Sequence, residues 1–395
     1  VTRAVASVAE IPALVQAADR AGRDASPADD AAPLVDDYPH DDEWGAEPAT
    51  TDVSIFAQLA PALGTAFRRW AERDQLLFGF AEHQMTSYFL GSSTGLRRRV
   101  DQPNGRLEVN GKTADYAGSA WAGLHTRDFA DVDVAAIVTD LEQRLSWGQR
   151  RVELPAGRYE TLLPPSAVAD LLLDAYWGSA SRDAEEGRSV FGRPGGGTRV
   201  GERIATLPLT LRSDPAAPGL QCAPFEIVSQ SSGGLQSVFD NGAPVEPTDW
   251  VRAGTLTNLV RTRSWATRTG EPPRPLVDNL IVDGGGTATV EDMVARTERG
   301  LLLTCLWYIR EVDPQTLLLT GLTRDGVYLV EDGQVTAAVN NFRFNESPID
   351  LLGRASEVGR SEPTLPREWS DYFTRVSTPT MRVPDFHMST VSQAS

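Results

Sequence analysis

The chain has 395 residues, of which 41% are hydrophobic and 23% charged, a composition typical of a soluble globular protein large enough for two or more lobes. Its formal net charge of −17 disfavours nucleic-acid partners, because phosphate binding needs a basic surface, and it also disfavours anionic membranes. No apolar run approaches the roughly 20 residues of a membrane helix, and the N-terminus VTRAVASVAE does not resemble a signal peptide. Two widely separated cysteines, Cys222 and Cys305, fit the reduced thiols of a cytoplasmic protein.

The N-terminal part of the chain combines helical and alternating patterns. Residues 24–48 are acidic and Pro-rich and predict an exposed connector, in which His40 fits a solvated position better than a metal ligand. Residues 76–113 alternate between apolar and polar, with Asn104-Gly105 and Asn110-Gly111 as hairpin signals, so we predict an antiparallel meander. Helical spacing predicts one helix before the meander and another after it. Their apolar faces are Phe56, Leu59, Leu63, Phe67 and Trp70, and Val134, Ile137, Leu141 and Leu145.

From Arg151 onwards the patterns are mainly those of strands. A strand over residues 152–163 leads into a helix that starts near Ser166, and a Gly-rich loop follows at residues 195–201. Short apolar segments then alternate with turns up to the C-terminus. We therefore predict an α+β fold, with an N-terminal α+β domain over residues 1–150 and a strand-rich C-terminal domain of curved, mostly antiparallel sheets over residues 151–395.

One short motif resembles the nucleophile elbow of serine hydrolases. Residues 91–95 read Gly-x-Ser-x-Gly, with Ser93 in the nucleophile position. The elbow works only between a strand and a helix, whereas strand patterns lie on both sides here, so a hairpin turn is favoured. An autonomous hydrolase that uses Ser93 or an unrecognised site remains an alternative hypothesis.

Other candidate residues for chemistry are few. The four histidines, His40, His83, His125 and His387, are dispersed, so their spacing gives no support for a metal site. Asp170 and Asp174 lie one turn apart on the predicted helix, a spacing that suits acid–base chemistry and also ordinary solvated helix charge. Trp177 on the same helix suits a peptide groove, a partner contact or core packing.

The segment Pro164–Gly201 resembles the active-site helix region of the TldD/PmbA peptidases. Further stretches resemble this family in the same order along the chain, and together they are most similar to its actinobacterial PmbA-type branch. These stretches are LGSSTGLRRR, TRDFADVD, PAGRYETLLPPSAVADLLL, SVFDNG, DNL at 278–280, GVYLVEDGQV and TMRVPDF.

The resemblance also shows where this chain departs from the family. Catalytic TldD-type members carry a His-Glu-x-x-x-His helix at a fixed distance before a Ser-x-Phe segment, and a cysteine near the C-terminus. Counting back from Ser189–Phe191 places the helix ligands on Leu172, Leu173 and Trp177. Counting back from Pro379–Met381 places the cysteine near Leu365. None of these side chains binds zinc, so the resemblance implies no catalytic residue, metal or cofactor in this chain.

The resemblance therefore implies a non-catalytic PmbA/TldE-like subunit of a cytoplasmic two-subunit metallopeptidase. A TldD-like partner would hold the zinc, and the heterodimer would enclose a chamber that admits unfolded peptides. Family members usually carry a further strand and helix before the region that matches Val1, so we expect a truncated gene model or an alternative start. A scaffold or peptide-binding protein without a peptidase partner is a further alternative. Candidate contacts with the peptide or the partner are Arg158, Asp174, Trp177, Arg182 and Arg343.

Overall fold

Helices and strands are both abundant in the computed structural model, which describes residues 3–5, 7–36, 41, 43–231 and 234–393. The α-helices of this described part are α1 (Ile11–Asp24), α2 (Leu59–Ala71), α3 (Val134–Trp147), α4 (Pro165–Trp177), α5 (Ser181–Glu185), α6 (Arg263–Thr269), α7 (Val290–Ala295) and α8 (Pro348–Arg354). The strands are β1 (Gln75–Gly91), β2 (Arg97–Thr113), β3 (Ser119–Thr126), β4 (Arg151–Val152), β5 (Gly157–Leu163), β6 (Thr210–Ser213), β7 (Thr248–Arg252), β8 (Thr255–Leu256), β9 (Leu280–Asp283), β10 (Arg299–Leu303), β11 (Leu306–Asp313), β12 (Leu318–Thr323), β13 (Val327–Glu331), β14 (Gln334–Val339), β15 (Phe342–Glu346), β16 (Glu357–Thr364) and β17 (Val376–Val391). Short 3-10 helices lie at Val8–Glu10, Val53–Phe56 and Val238–Asp240. The predicted α+β class is confirmed. His40 lies outside the described residues.

A three-stranded antiparallel sheet in the order β1-β2-β3 forms the N-terminal layer, and α2 and α3 pack on it. Their shared core contains the fully buried Trp70 and Leu141, together with Leu107 and Val109 of β2. The predicted helices and the meander are thus confirmed. Phe67 is an exception on the predicted face of α2, because 47% of it is exposed.

The prediction that the two Asn-Gly pairs form turns is wrong, since both pairs lie inside β2. The actual turns are at residues 92–96 and 114–118, between the paired strands. Gly111 lies in the strand interior, where only glycine fits, because a Cβ there would lie 2.4 Å from the ring of Trp70. Such a glycine marks a close approach rather than a turn.

A fourteen-stranded sheet extends from β4 to the C-terminus. Its main path runs β4-β14-β13-β10-β5-β17-β9-β6-β7-β8, and the long strand β17 also pairs with β15 and β16. The pairs β5/β10, β4/β14 and β9/β17 are parallel, and the other pairs are antiparallel. The predicted strand-rich, mostly antiparallel sheet is therefore confirmed, and its curvature stays a prediction.

The acidic segment between α1 and α2 is anchored to the body of the protein. Most of its described residues are exposed, but Val35 is buried with Leu96 and Ala243. The Val35 carbonyl also accepts a hydrogen bond from the Thr94 hydroxyl at 2.8 Å. Sequence patterns missed this anchoring because one apolar residue in a polar stretch carries it. We retain the division at residue 150 as a proposal, since each sheet has its own principal core on either side of it.

Arg382 joins three elements of the large sheet region. This largely buried side chain of β17 donates to Glu160 of β5 at 2.6 Å and to Glu357 of β16 at 2.9 Å. It also donates to the Met293 carbonyl of α7 at 3.0 Å and to the Thr297 hydroxyl at 2.8 Å. Loss of the cation takes the counter-charge from Glu160 and leaves the Met293 carbonyl and the Thr297 hydroxyl without their donor, while Glu357 keeps its pair with Arg296.

We therefore expect Arg382→Leu to lower the free energy of unfolding by about 3–5 kcal/mol, measured by urea denaturation. The matched control is Arg360→Leu, since Arg360 forms an exposed pair with Glu362, and such pairs contribute less than about 1 kcal/mol. Equal losses in both variants would show that the Arg382 network does not hold these elements together.

Candidate functional site

Helix α4 is the central element of the candidate site. Pro164 has an extended backbone and Pro165 occupies the first helical position, which a proline's fixed φ suits. The helix is apolar nearly all round, as expected for a buried helix. The Ser166 hydroxyl donates to the Leu365 carbonyl at 2.7 Å, and the Thr378 hydroxyl donates to the Pro165 carbonyl at 2.7 Å. These bonds fix the start of α4 between the segment at Leu365 and strand β17.

The positions expected to correspond to zinc ligands hold core side chains. Leu172 is 3% exposed, and Leu173 and Leu365 are fully buried. Trp177 is half-buried and packs edge-on against Trp369 and Phe373, with ring centroids 5.1 and 6.2 Å away. None of the four side chains offers a metal ligand, so they do not fit zinc.

Asp170 faces the interior, where it binds backbone. Its Oδ1 accepts the Glu368 N–H at 2.9 Å, while Oδ2 is buried and has no hydrogen-bond partner among the described residues. The indole of Trp369 donates to the Asp170 carbonyl at 2.9 Å. Burial raises the pKa of Asp170 well above its usual range, with the Glu368 N–H acting in the opposite direction. Asp170 is therefore a positioning group that ties α4 to the segment after Leu365.

Asp174 has the electrostatics of a group that exchanges protons near neutral pH. Burial, followed by repulsion from Glu311, raises its pKa to about 7. Its Oδ2 is buried and has no hydrogen-bond partner among the described residues. Of the two interpretations of the Asp170–Asp174 spacing, ordinary solvated charge is wrong, since both carboxyl groups are largely buried.

Beside these carboxyl groups, Glu368 holds a strained bulge of β11. Tyr308 has φ +51° although it is not glycine, and the pairing of β11 with β12 shifts register between Trp307 and Arg310. The Glu368 carboxylate accepts the N–H of Tyr308 at 2.9 Å and the N–H of Ile309 at 3.1 Å. It also accepts from Arg310 Nη1 at 3.1 Å.

Sequence reasoning missed this bulge. No local pattern requires a positive φ at a tyrosine, and the carboxylate that stabilises it comes from a distant segment. The only signal in the sequence was the presence of an acidic residue, Glu368, shortly after Leu365, the position that the resemblance assigns to a zinc ligand.

The remaining candidate residues lie elsewhere. Arg158 and Arg343 are exposed on β5 and β15, the strands on either side of β17, where they stand opposite His387 and Thr390. Arg182 on α5 pairs with Glu186 and lies 5.6 Å from the ring of Trp265. Of the five candidate residues, only Asp174 and Trp177 thus lie near Trp369. The functional roles of all five stay predictions.

Two further sequence motifs and one glycine-containing turn have structural roles. Ser93 is exposed in the turn that joins β1 to β2, as the hairpin interpretation predicts. Gly195, Gly196 and Gly197 form an exposed turn with positive φ. Gly286 belongs to a turn pressed against β16, because a Cβ there would lie 2.0 Å from the Val358 carbonyl oxygen. Cys222 and Cys305 are both free and buried.

The fold and the sequence of its C-terminal part define a relative of a metallopeptidase family. Residues 156–390, more than half of the chain, match the family model of the PmbA/TldA metallopeptidase C-terminal domain. The chain belongs to the TldD/PmbA family. A search of curated proteins gives no match.

Solved structures share the fold at low sequence identity. TldE from Thermococcus kodakarensis aligns with a TM-score of 0.76 and 18% identity, covering 95% of this chain and 83% of that one. A proposed modulator of DNA gyrase from Bacteroides thetaiotaomicron VPI-5482 gives 0.72 and 15%, covering 96% and 83%. A similar proposed modulator from Thermotoga maritima MSB8 gives 0.68 and 16%, covering 87% and 78%. None of these likenesses tests the actinobacterial branch, which stays a prediction. Every helix of the described residues is too short or too polar to cross a lipid bilayer.

The raised pKa of Asp174 predicts a pH-dependent effect of Asp174→Asn. A carboxyl group that is more basic in the folded state stabilises the fold below its unfolded pKa, and this contribution is lost as the pH rises through about 7. We expect Asp174→Asn to exceed the wild type in unfolding free energy by on the order of 2–4 kcal/mol at pH 8. The two proteins should converge near pH 4.

Urea denaturation at a series of pH values measures this difference. Asp350→Asn, which alters an exposed aspartate on α8, serves as the control and should show no such pH-dependent gain. A constant difference between Asp174→Asn and the wild type from pH 4 to 8 would contradict the near-neutral titration.

The Glu368 clamp predicts that Glu368→Gln destabilises the protein. The glutamine amide has one acceptor oxygen, whereas the Glu368 carboxylate offers two oxygens to its donors. We therefore expect the free energy of unfolding, measured by heat or urea, to fall by about 1–3 kcal/mol. Glu202→Gln is the control, because among the described residues the Glu202 carboxylate binds only the side chains of Arg193 and Arg199, both of which reach solvent. Its loss should stay below about 1 kcal/mol. The clamp has no structural role if the two losses are equal.

Proposed function

We propose that this chain is the non-catalytic, PmbA/TldE-like subunit of a two-subunit zinc metallopeptidase in the cytoplasm. In this proposal a TldD-like subunit holds the zinc, which would activate a water molecule for peptide hydrolysis. This chain forms part of the chamber wall and helps to hold an unfolded peptide substrate.

The observation that carries the proposal is the packing of α4, whose side chains at the positions that the resemblance assigns to zinc ligands belong to the core. Leu172 and Leu173 are packed in the main hydrophobic cluster, so this helix stabilises the fold where the catalytic members of the family would bind metal. In the described ranges, no three His, Cys, Asp or Glu side chains are grouped as a metal ion requires. The residues present therefore offer zinc no site on this helix, and we assign no hydrolytic step to this chain.

Two features support a role in holding peptides. β1 is an outer strand of its sheet, and such edges bind extended peptides through backbone hydrogen bonds that depend little on peptide sequence. Phe78 and Phe80 on β1 are each nearly half exposed, which provides apolar contacts beside the edge. The net charge of −17 argues against a nucleic-acid partner.

The autonomous-hydrolase alternative has weaker support. Ser93 lies in a turn between two paired strands, whereas the nucleophile elbow needs a strand followed by a helix whose N-terminus stabilises the oxyanion. The scaffold alternative differs from our proposal only in its partner, so association decides between them.

Co-expression with a TldD-like chain tests the proposal. We expect a one-to-one complex that cleaves unfolded peptides and loses activity when the partner's helix histidines are replaced by alanine. The isolated chain should hold no stoichiometric zinc in elemental analysis and should cleave no peptide. Stoichiometric zinc with chelator-sensitive proteolysis in the isolated chain would overturn the proposal. Failure to associate with any TldD-like chain would favour the scaffold instead.

A further inference from the structure

A cavity of about 340 Å³ lies in the C-terminal part of the chain, away from α4. Its walls come from two pairs of bridged segments, at Phe225↔Pro244 and Arg261↔Arg274, and Val35 and Asp36 of the acidic segment line it as well. The volume falls at the lower end of the roughly 300–1,000 Å³ range of small-molecule pockets. It therefore suits one small group rather than a long ligand.

Glu226 lines this cavity, and one of its two carboxyl oxygens has no hydrogen-bond partner among the described residues. The residue is only 6% exposed, and Oε2 is buried and unbonded within the described part of the chain. The backbone of Glu226 is fixed, since its N–H donates to Ala243 at 2.8 Å and its carbonyl accepts from Gly242 at 2.9 Å. A buried carboxyl group with an unused acceptor is costly, and native proteins rarely retain one without a reason.

A second carboxyl group, from Asp240, lines the same cavity. Asp240 is 1% exposed, and its Oδ2 accepts the backbone N–H of Arg263 at 3.0 Å. Its Oδ1 has no hydrogen bond among the described residues and stands 3.9 Å from Arg263 Nη1. Two buried carboxyl groups thus lie near the Arg263 guanidinium, and Glu226 forms no ion pair within the described part of the chain.

Among the described residues, the other cationic side chains that line the cavity donate their hydrogen bonds to neutral acceptors. Arg261 donates to Ser181 Oγ and to the Pro272 carbonyl, and Arg274 donates to Asn258 Oδ1 and the Pro273 carbonyl. Asp36 and Glu246 line the cavity and add negative charge. Burial raises the pKa of Asp240, Arg263 opposes the increase, and repulsion from Asp30 adds to it. Burial, followed by repulsion from Asp240 and opposed by Arg263, raises the pKa of Glu226 to about 9.

We propose that this cavity is a binding site for a single cationic group, a protonated amine or a guanidinium, with Glu226 as its counter-ion. The apolar parts of the wall, which include Ala243, Pro244 and Pro273, suit the aliphatic stem of such a group. A lysine or arginine side chain of a peptide has this shape and charge. The assignment to a peptide side chain rests on the proposed function, whereas the cation site does not.

Binding of a cation changes the protonation of Glu226. The carboxyl group is neutral below about pH 9 without a ligand, and a nearby positive charge favours its ionised form. Each bound cation should therefore release close to one proton near pH 7, and affinity should increase as the pH rises towards 9.

Calorimetric titration of the isolated chain with N-acetylarginine amide tests the cation site without any partner subunit. Titrations in two buffers of different ionisation enthalpy measure the proton released. We expect a one-to-one complex that the uncharged citrulline analogue does not form.

Glu226→Gln, which keeps the side-chain shape, should weaken binding about tenfold or more. Glu246→Gln is the matched control at an exposed carboxylate of the same cavity and should change the affinity by less than about threefold.

Several outcomes would overturn the site. Equal binding of the arginine and citrulline probes would do so, as would absence of binding, which would leave a cavity filled by water alone. Proton release is measured on the wild type, so it tests the site even if Glu226→Gln fails to fold. Binding without proton release also contradicts the proposed site.

An extended peptide with one central arginine, compared with its citrulline counterpart, separates a peptide ligand from a free small cation. Preference for the peptide supports the peptide assignment, and binding of the small probe alone removes that assignment. Neither result depends on whether a TldD-like chain associates.

Discussion

The pairing of β17 is the constraint on which the rest of the large sheet depends. This strand pairs with β5, β9, β15 and β16, and the Thr378 hydroxyl on it fixes the start of α4. The buried polar side chains of a strand surrounded in this way must find their partners within the protein. Arg382 does so by binding carboxylates on β5 and β16 and a carbonyl of α7, so one guanidinium sets the relative positions of three elements.

The depth of α4 follows from that arrangement and explains the character of the candidate site. Because α4 is buried nearly all round, Leu172 and Leu173 serve as packing, and the polar groups of the helix must find partners in neighbouring segments. Asp170 binds the backbone of Glu368, and Glu368 in turn holds the bulge at Tyr308. A chain of hydrogen bonds thus links the interior of α4 to an exposed, strained tyrosine. Asp174 lies beside this chain, with an unpaired oxygen and a pKa near neutrality.

Local patterns predicted much of the fold but misjudged the glycines. Helical spacing located α2, α3 and α4 because each has an apolar face that the core requires. The turn at Ser93 was predicted because strand patterns lie on both sides of it. Gly105 and Gly111 resembled turn residues, yet Gly111 is needed for space, since the ring of Trp70 approaches its backbone from another element. Space of this kind has no signature in the neighbouring sequence.

The sequence by itself determined the family resemblance, the α+β class and the absence of ligand side chains at Leu172, Leu173, Trp177 and Leu365, because these depend on residue identity and order along the chain. Only the tertiary structure decided which polar groups are isolated and which are paired. Burial and contacts with residues distant in sequence raise the pKa of Glu226 and of Asp174. A contact distant in sequence also lets Glu368 accept the N–H of Tyr308. The protonation and hydrogen bonding of a side chain depend on its surroundings in space, which local sequence does not specify.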